Sequence, residues 1–272
     1  MHGSNETPAT KKKGDSLEKM LSLLDVFTPQ APIWSSEDLL RYCGSSRSTG
    51  YRYINLLVKA GLLAPVASGS YVLGSRIMEL DLLIRSCDPI YLAGEEVLSD
   101  LAVTTKFSAF LSVLYNGGVM CVRSLAVPNA PRGLFQRGER KSLFLGAASR
   151  IILAYLPHHQ LKVVFQRNQK AIARAGLGSD WERFLKTLKS YRSTGYCHST
   201  GEVLPQVSGI AAPIFNGSKQ IMGSLAIAMN TSDLDKAAIN DLGEIVIKAS
   251  ERMTQIISEG ETPMTRPARR VS

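Results

Sequence analysis

The sequence predicts an α+β chain of two domains, and three observations predict it. At 272 residues it exceeds a usual single domain. Near its start, a short helix, a glycine turn and a basic helix are followed by a hairpin, the order of a winged helix-turn-helix. Beyond Asp88-Pro89, two further hairpin signals, at Asn116-Gly117-Gly118 and Asn216-Gly217, lie among helical segments, the pattern of a sheet covered by helices.

Composition sets the frame. The apolar share of 44% and the charged share of 20% are ordinary for a globular protein. A net charge of +9 and a pI near 9.4 favour polyanionic partners. Four cysteines, at 43, 87, 121 and 197, have no ligand-like spacing and read as reduced thiols of a cytoplasmic protein. No apolar run is long enough for a membrane span.

In chain order, residues 1–14, with Lys11, Lys12 and Lys13, read as a flexible basic arm, either a solubilising tail or a phosphate-touching one. A first helix is expected from Ser16, as N-cap, to Phe27, with Leu17, Met20, Leu21 and Leu24 buried. A second begins at Ser35, with Asp38 in a capping-box-like position, and ends before Gly44. The stretch from Ser45 to Leu63 contains no acid. Tyr53, Leu56, Leu57 and Ala60 form its apolar face. Ser46, Arg47, Ser48, Thr49, Tyr51 and Arg52 stand at its N-terminal end, where base edges and phosphates would be met. Gly61 ends the helix, and Ser68-Gly69 turns a hairpin between Leu62–Val66 and Tyr71–Leu73. The winged domain thus spans 15–74. A linker helix over 75–87 carries Ile77, Leu80 and Ile84 on one side, more apolar surface than a single winged helix needs to cover.

From residue 88 to 259 the reading is a helix over 90–104, strands over 108–115 and 119–125, and a loop-rich stretch over 126–140. Helices over 147–155, 160–174 and 179–191 follow, then strands over 208–215 and 221–229 and a closing helix over 234–258. Residues 260–272, with Arg266, Arg269 and Arg270, read as a disordered basic tail.

Taken together these features resemble the IclR family of bacterial transcriptional regulators over roughly residues 16 to 260. The N-terminal half carries the resemblance in Gly44, Ser48-Thr49, Arg52, Gly61, the hairpin and Leu73-Gly74. The C-terminal half carries it in Gly138 to Leu156, in Gly195-Tyr196, Glu202, Pro205 and Ile210-Ala211-Ala212-Pro213, and in Ile221 to Met229. The resemblance implies a winged helix joined by the linker helix to a GAF-like effector-binding domain, assembled as a homodimer or dimer of dimers. It implies a DNA-binding regulator of a catabolic operon. Repression of a pseudo-palindromic operator, relieved by a small organic acid, is the first reading, and activation is the alternative. The effector pocket implied is near Leu143, Phe144, Ala147, Ala148, Ser199, Gly209, Ala226 and Ala228.

The chain departs from the family at that pocket. Ser199 stands where an aspartate is common, Gly209 where a cysteine often precedes the Ile-Ala-Ala-Pro run, and Ala226 and Ala228 where serines are frequent. Ser142-Leu143-Phe144 replaces Pro-Leu-His, and Ser149-Arg150 replaces Gly-Lys. A pocket so stripped of polar side chains should hold an aromatic or other medium-sized carboxylate better than glyoxylate or pyruvate, which have little apolar area to bury.

An enzyme is the rival class. His158-His159 follows Pro157 in what reads as a solvated loop, and His198 lies among small polar residues. Glu202 and Asp233 are brought together by nothing in the sequence. No nucleophile elbow, phosphate-binding loop or zinc-type pair occurs. No catalytic residue, metal or cofactor is expected, and a hydrolase is the remote alternative.

Overall fold

The structure is a computed structural model that describes residues 15–260. The basic arm expected over 1–14 and, beyond Gly260, the basic tail lie outside the described residues. The chain divides into two compact units, Met1–Ser86 and Cys87–Ser272.

In the first unit, α1 (Ser16–Ser22) begins one residue earlier than expected: Asp15 is the N-cap, in a reciprocal capping box with Glu18. The helix also stops after Ser22, five residues short of Phe27. The chain then turns, so the helical period no longer selects the buried residues. Leu17 and Leu21 are exposed, and Leu23 and Val26 enter the core instead. The two-residue strand β1 (Trp34–Ser35) leads into α2 (Ser36–Cys43). Ser35 Oγ caps α2, accepting the Asp38 N–H at 3.1 Å and donating to the Asp38 carboxylate at 2.7 Å. Gly44, at φ 60°, closes it.

The basic helix α3 (Arg47–Lys59) is capped by Ser46. Its buried stripe is Gly50, Tyr53, Ile54 and Leu57, whereas Leu56 and Ala60 are exposed. The buried face is therefore rotated by about one residue from the expected one. Gly50 explains the rotation: a Cβ there would lie 2.2 Å from Leu40 Cδ2, so α2 and α3 meet over the glycine. Strands β2 (Leu63–Val66) and β3 (Ser70–Leu73) form the wing, and with β1 they make a sheet of order β1-β3-β2. Gly74 seals the base of the wing, where a Cβ would lie 2.1 Å from the Gly61 carbonyl oxygen. The linker helix α4 (Arg76–Cys87) buries none of its residues within this chain.

The second unit is one six-stranded antiparallel sheet between two helical layers. Its elements are α5 (Pro89–Thr105), β4 (Ser108–Tyr115), β5 (Gly118–Leu125), β6 (Arg140–Ser142), α6 (Ala147–Ala154), α7 (His158–Arg174), α8 (Trp181–Thr194), β7 (Cys197–Thr200), β8 (Val207–Phe215), β9 (Ile221–Asn230) and α9 (Ile239–Gly260). The strand order is β6-β5-β4-β9-β8-β7. Side-chain alternation sends Leu111, Ile210, Leu225 and Ile227 to one face, under α5 and α9. Phe110, Cys121, Ala211 and Ala226 go to the other face, under α6, α7 and α8. The two edge strands, β6 and β7, are not among the expected elements. Their sequences, RKS and CHST, are too short and too polar to alternate. The closing helix begins five residues later than expected, after two single 3₁₀ turns.

Candidate functional site

In the first unit, Ser46, Arg47, Ser48 and Arg52 are exposed and Thr49 and Tyr51 half-buried, all in the first two turns of α3. Ser46 Oγ accepts the Thr49 N–H at 3.4 Å. Arg47 lies 5.9 Å from the Tyr51 ring centroid, and Arg52 lies 6.0 Å from that of Tyr53. The expected residues thus share one accessible, acid-free end of a helix whose rear is held in the core. The wing tip is Ser68 and Gly69, with no basic side chain.

In the second unit, the sheet register assembles a cleft. Ser199 pairs with Gly209, and Gly209 with Ala228, giving one row of small residues across β7, β8 and β9. The next row is Cys197, Ala211 and Ala226, which continues to Phe110 on β4. Because the first row carries almost no side-chain bulk, the sheet face is hollow where the N-terminus of α6 crosses it. The hollow has about 610 Å³ of atom-free space, counted out through its open mouth. Phe110, Leu134 and Phe135 line it on the β4 side, Val203 and Leu204 line it from the β7–β8 connection, and Val207 from the start of β8. Phe110 and Phe135 meet edge to face at 5.7 Å.

Of the residues expected around a pocket, Ala147, Ala148, Ser199, Gly209, Ala226 and Ala228 all line this cleft. Leu143 and Phe144 do not. After β6 the chain turns, and both side chains are packed in the core with Ile152, Leu153 and Phe165 behind the cleft. Leu145 and Lys141 take their place at the lining. Lys141 ion-pairs with Glu139 and lies 5.5 Å from the Phe135 ring. The alternating β6 side chains could have marked Lys141, had so short a strand been readable. Nothing local marks Val203 and Leu204.

The cleft's polar end is the start of α6. Gly146 there has φ 84°, and a Cβ would lie 2.9 Å from Val203. Its N–H donates to the Glu202 carboxylate at 2.9 Å, and the Ala147 N–H donates to Ser199 Oγ at 2.9 Å. Glu202 is neutralised by Arg150 at 2.8 Å in a largely buried pair. Arg150 further donates to the carbonyls of Phe144 and Ala175 and to the Tyr191 hydroxyl. The next two N–H groups of the helix, of Ala148 and Ser149, have no protein acceptor among the described residues. Both residues line the cleft. An anion placed there would meet two backbone donors and the positive end of a helix dipole.

The remaining titratable groups have no catalytic arrangement. Burial pushes the Cys121 and Cys197 thiols up to about 12, so both stay protonated. Burial lowers His198, against the opposing pull of Glu202. Among the described residues no three His, Cys, Asp or Glu side chains cluster as a metal would need. His158 is not in a loop but opens α7, packed edge to face on Trp181 at 5.5 Å. No helix of the described residues is long and apolar enough to cross a membrane.

A winged head presenting an acid-free helix, and a separate sheet domain with an apolar cleft ending in free N–H groups, define a two-domain DNA-binding regulator. Residues 16–67 match the IclR helix-turn-helix domain, and residues 86–255 match the family described as bacterial transcriptional regulator IclR C-terminal. The chain belongs to the IclR family of bacterial transcriptional regulators, which are not enzymes. KipR, an HTH-type transcriptional regulator of Bacillus subtilis, is 25% identical over 80% of this chain and 87% of its own. XynR of Escherichia coli is 21% identical, over 89% and 96%. An IclR-type regulator of Silicibacter sp. TM1040 has the same fold, with a TM-score of 0.76 at 24% identity over 90% of this chain and 96% of the other. So has an IclR homolog of Microbacterium hydrocarbonoxydans complexed with 4-hydroxybenzoate, with a TM-score of 0.73 at 18% identity over 89% and 99%.

Proposed function

We propose that this regulator senses a medium-sized organic acid with a flat, apolar body, bound in the cleft of the second unit. The observation that carries the reading is the pairing of two unclaimed N–H groups, of Ala148 and Ser149, with walls of Phe110, Phe135 and alanines. A carboxylate would bond to the N–H pair, and a ring would lie on the Gly209–Ala228 row. Glu202 would not repel it, because Arg150 holds its charge. A relative of the same fold is complexed with 4-hydroxybenzoate, a ligand of this chemistry. Two- and three-carbon keto acids would leave the apolar walls unused.

On the DNA side, α3 enters the major groove, with Arg47 and Arg52 toward phosphate or guanine edges. Two heads read the halves of a pseudo-palindromic operator. The chain acts as a repressor of a catabolic operon, and the ligand acts by preferring one placement of the heads over another. The homodimer is joined at α4, whose apolar side of Ile77, Leu80 and Ile84 holds no buried residue, with Leu80 and Ile84 exposed among the described residues.

Calorimetric titration of the full chain tests the effector reading. Benzoate-type acids should give saturable heat and pyruvate none. Tight pyruvate binding with no benzoate binding would overturn it. At Gly209 a Cβ meets only ordinary contacts, 3.5 Å from the Ile227 carbonyl oxygen and 3.8 Å from Ala147. Gly209→Leu should therefore fold, fill the cleft, abolish the heat and leave DNA binding intact. For assembly, Leu80→Asp, on the Ile77–Leu80–Ile84 side of α4, should sediment as a smaller species than the parent, because the charge would be buried unpaired at the interface. Parental sedimentation would place the interface elsewhere.

A further inference from the structure

Among the described residues, the net positive charge does not lie in the DNA-binding head. Residues 15–86 carry seven basic and seven acidic side chains, so the described head is neutral overall. In residues 157–194, which hold α7 and α8, eight Lys and Arg face two acids. The rest of residues 87–260 has eleven basic and twelve acidic side chains. Among the described residues the basic excess therefore lies in one helical hairpin.

Within that hairpin, α7 has no acidic residue in its seventeen. Lys162, Arg167, Lys170 and Arg174 are all exposed. They extend over about 18 Å of helix axis. On α8, Lys186 and Lys189 are exposed, and with Arg192 they line a shallow groove floored by Leu156, Leu161 and Leu185, the second of these from α7. None of Lys162, Arg167, Lys170, Arg174, Lys186 and Lys189 has an ion-pair partner among the described residues. By contrast, Arg252 is held by Glu96 and Asp100, and Arg123 by Glu95. A face that served only solubility would mix both signs.

We propose that the α7–α8 face is a second DNA-contacting surface, one that binds the phosphate backbone of duplex DNA without reading sequence. Duplex DNA carries one charge per about 1.7 Å of axis, so a stripe of this length has several phosphates to meet. The chain's own head is a DNA-binding domain, and a second contact to the same duplex is strengthened wherever the linker lets both units engage it together. A second copy would set like charge against like. A membrane surface would need an apolar face to insert, and that of α7 is already buried in the core through Leu161, Phe165 and Ile172. An acidic protein would want exposed aromatic anchors, and the exposed positions of α7 include Gln160, Gln166, Gln169, Val163 and two histidines but no Phe, Tyr or Trp.

The test uses the full chain and a fluorescein-labelled 60-base-pair duplex of mixed sequence, with affinity measured from 50 to 200 mM salt. The variant R167Q/K170Q/R174Q/K186Q/K189Q alters only exposed side chains. It should bind at least tenfold more weakly at 100 mM salt, and its salt slope should flatten by about 0.9 for each phosphate it no longer neutralises. Its melting temperature should equal the parent's. The variant R167K/R174K keeps the charge and should keep the parental slope; a flatter slope there would overturn a role for charge. Parental affinity and slope in the five-site variant would overturn the proposal. So would weaker binding to phosphatidylserine vesicles, or to polyglutamate, with duplex binding unchanged. The readout is independent of the effector, so failure of the ligand reading would leave it standing.

Discussion

Two helices of this protein, α3 and α6, begin in the same way and end up doing different physics. Each starts at a small cap residue, Ser46 or Gly146, and each leaves early N–H groups without a protein acceptor. In α3 the open donors face solvent, flanked by exposed Arg47, Ser48 and Arg52. In α6 they face a cleft walled by alanines and phenylalanines, and the donors beside them are already satisfied by Ser199 and Glu202. A DNA phosphate stays partly hydrated, so long side chains with full charges must reach it. An organic acid in a cleft gives up its water, so short, fixed donors and apolar walls suit it better. The same backbone feature is therefore furnished with opposite side chains.

The comparison breaks most visibly at Arg150. That guanidinium offsets Glu202 at the α6 end, with their side chains only 11% and 21% exposed. Arg150→Met leaves a carboxylate with no cation, which should cost the second unit about 3–5 kcal/mol. Arg150→Met/Glu202→Leu should recover much of that. Thermal unfolding of the three proteins decides it. Equal midpoints for the parent and Arg150→Met would mean that the pair holds nothing at the cleft's polar end.

The α3 side should respond differently, with function impaired and stability kept. Arg52→Ala should weaken operator binding by about 1–3 kcal/mol if it meets a guanine edge. Arg47→Ala should weaken binding evenly across sequences and flatten the salt slope by about one. Neither should move the melting temperature, because both side chains are exposed. Gel shifts across a series of salt concentrations that find neither change would remove this end of α3 from the reading role.

The two helices also differ in how far the amino-acid sequence betrays them. The caps, the glycine turn and the acid-free run declare α3 directly. Its buried stripe departs from the periodicity at Leu56 and Ala60, since periodicity cannot see that Gly50 lets α2 approach and turn the helix. The short α1 departs in the same way at Leu17 and Leu21. For α6 the helix is legible in its apolar run, and most of the small residues around it through the family resemblance, but not the sheet register that lines up Ser199, Gly209 and Ala228. Leu143 and Phe144 are not, because the turn after β6 decides which side of the chain faces in, and β6 is three polar residues long. The Arg150–Glu202 pair joins positions 52 apart and has no local signature at all. Register and long-range pairing are what a one-dimensional reading lacks.

The finest difference between the units is in their response to acid. The described head contains no histidine. The second unit holds His198 on β7, next to Ser199, with its ring Nε2 3.2 Å from Thr200 Oγ1. Burial lowers its pKa from 6.5, and Glu202 only partly offsets this. The folded chain therefore resists a proton that the unfolded chain accepts. Well above pH 6.5 both forms are neutral and the group contributes its full stability. As pH falls from there through the lowered folded value, the unfolded state gains protons first and stability declines. His198→Gln should abolish that part of the decline in the second unit and leave the head's transition alone. The effect should be smaller than those of the Arg150 and α3 variants, since the ring is only partly buried and carboxylates titrate just below it. Melting curves of parent and variant between pH 7.5 and 5.5 measure it as a difference, which cancels the carboxylates. Parallel curves would show that β7 feels no cost in charging His198, and that the cleft's neighbourhood is as indifferent to pH in this range as the head.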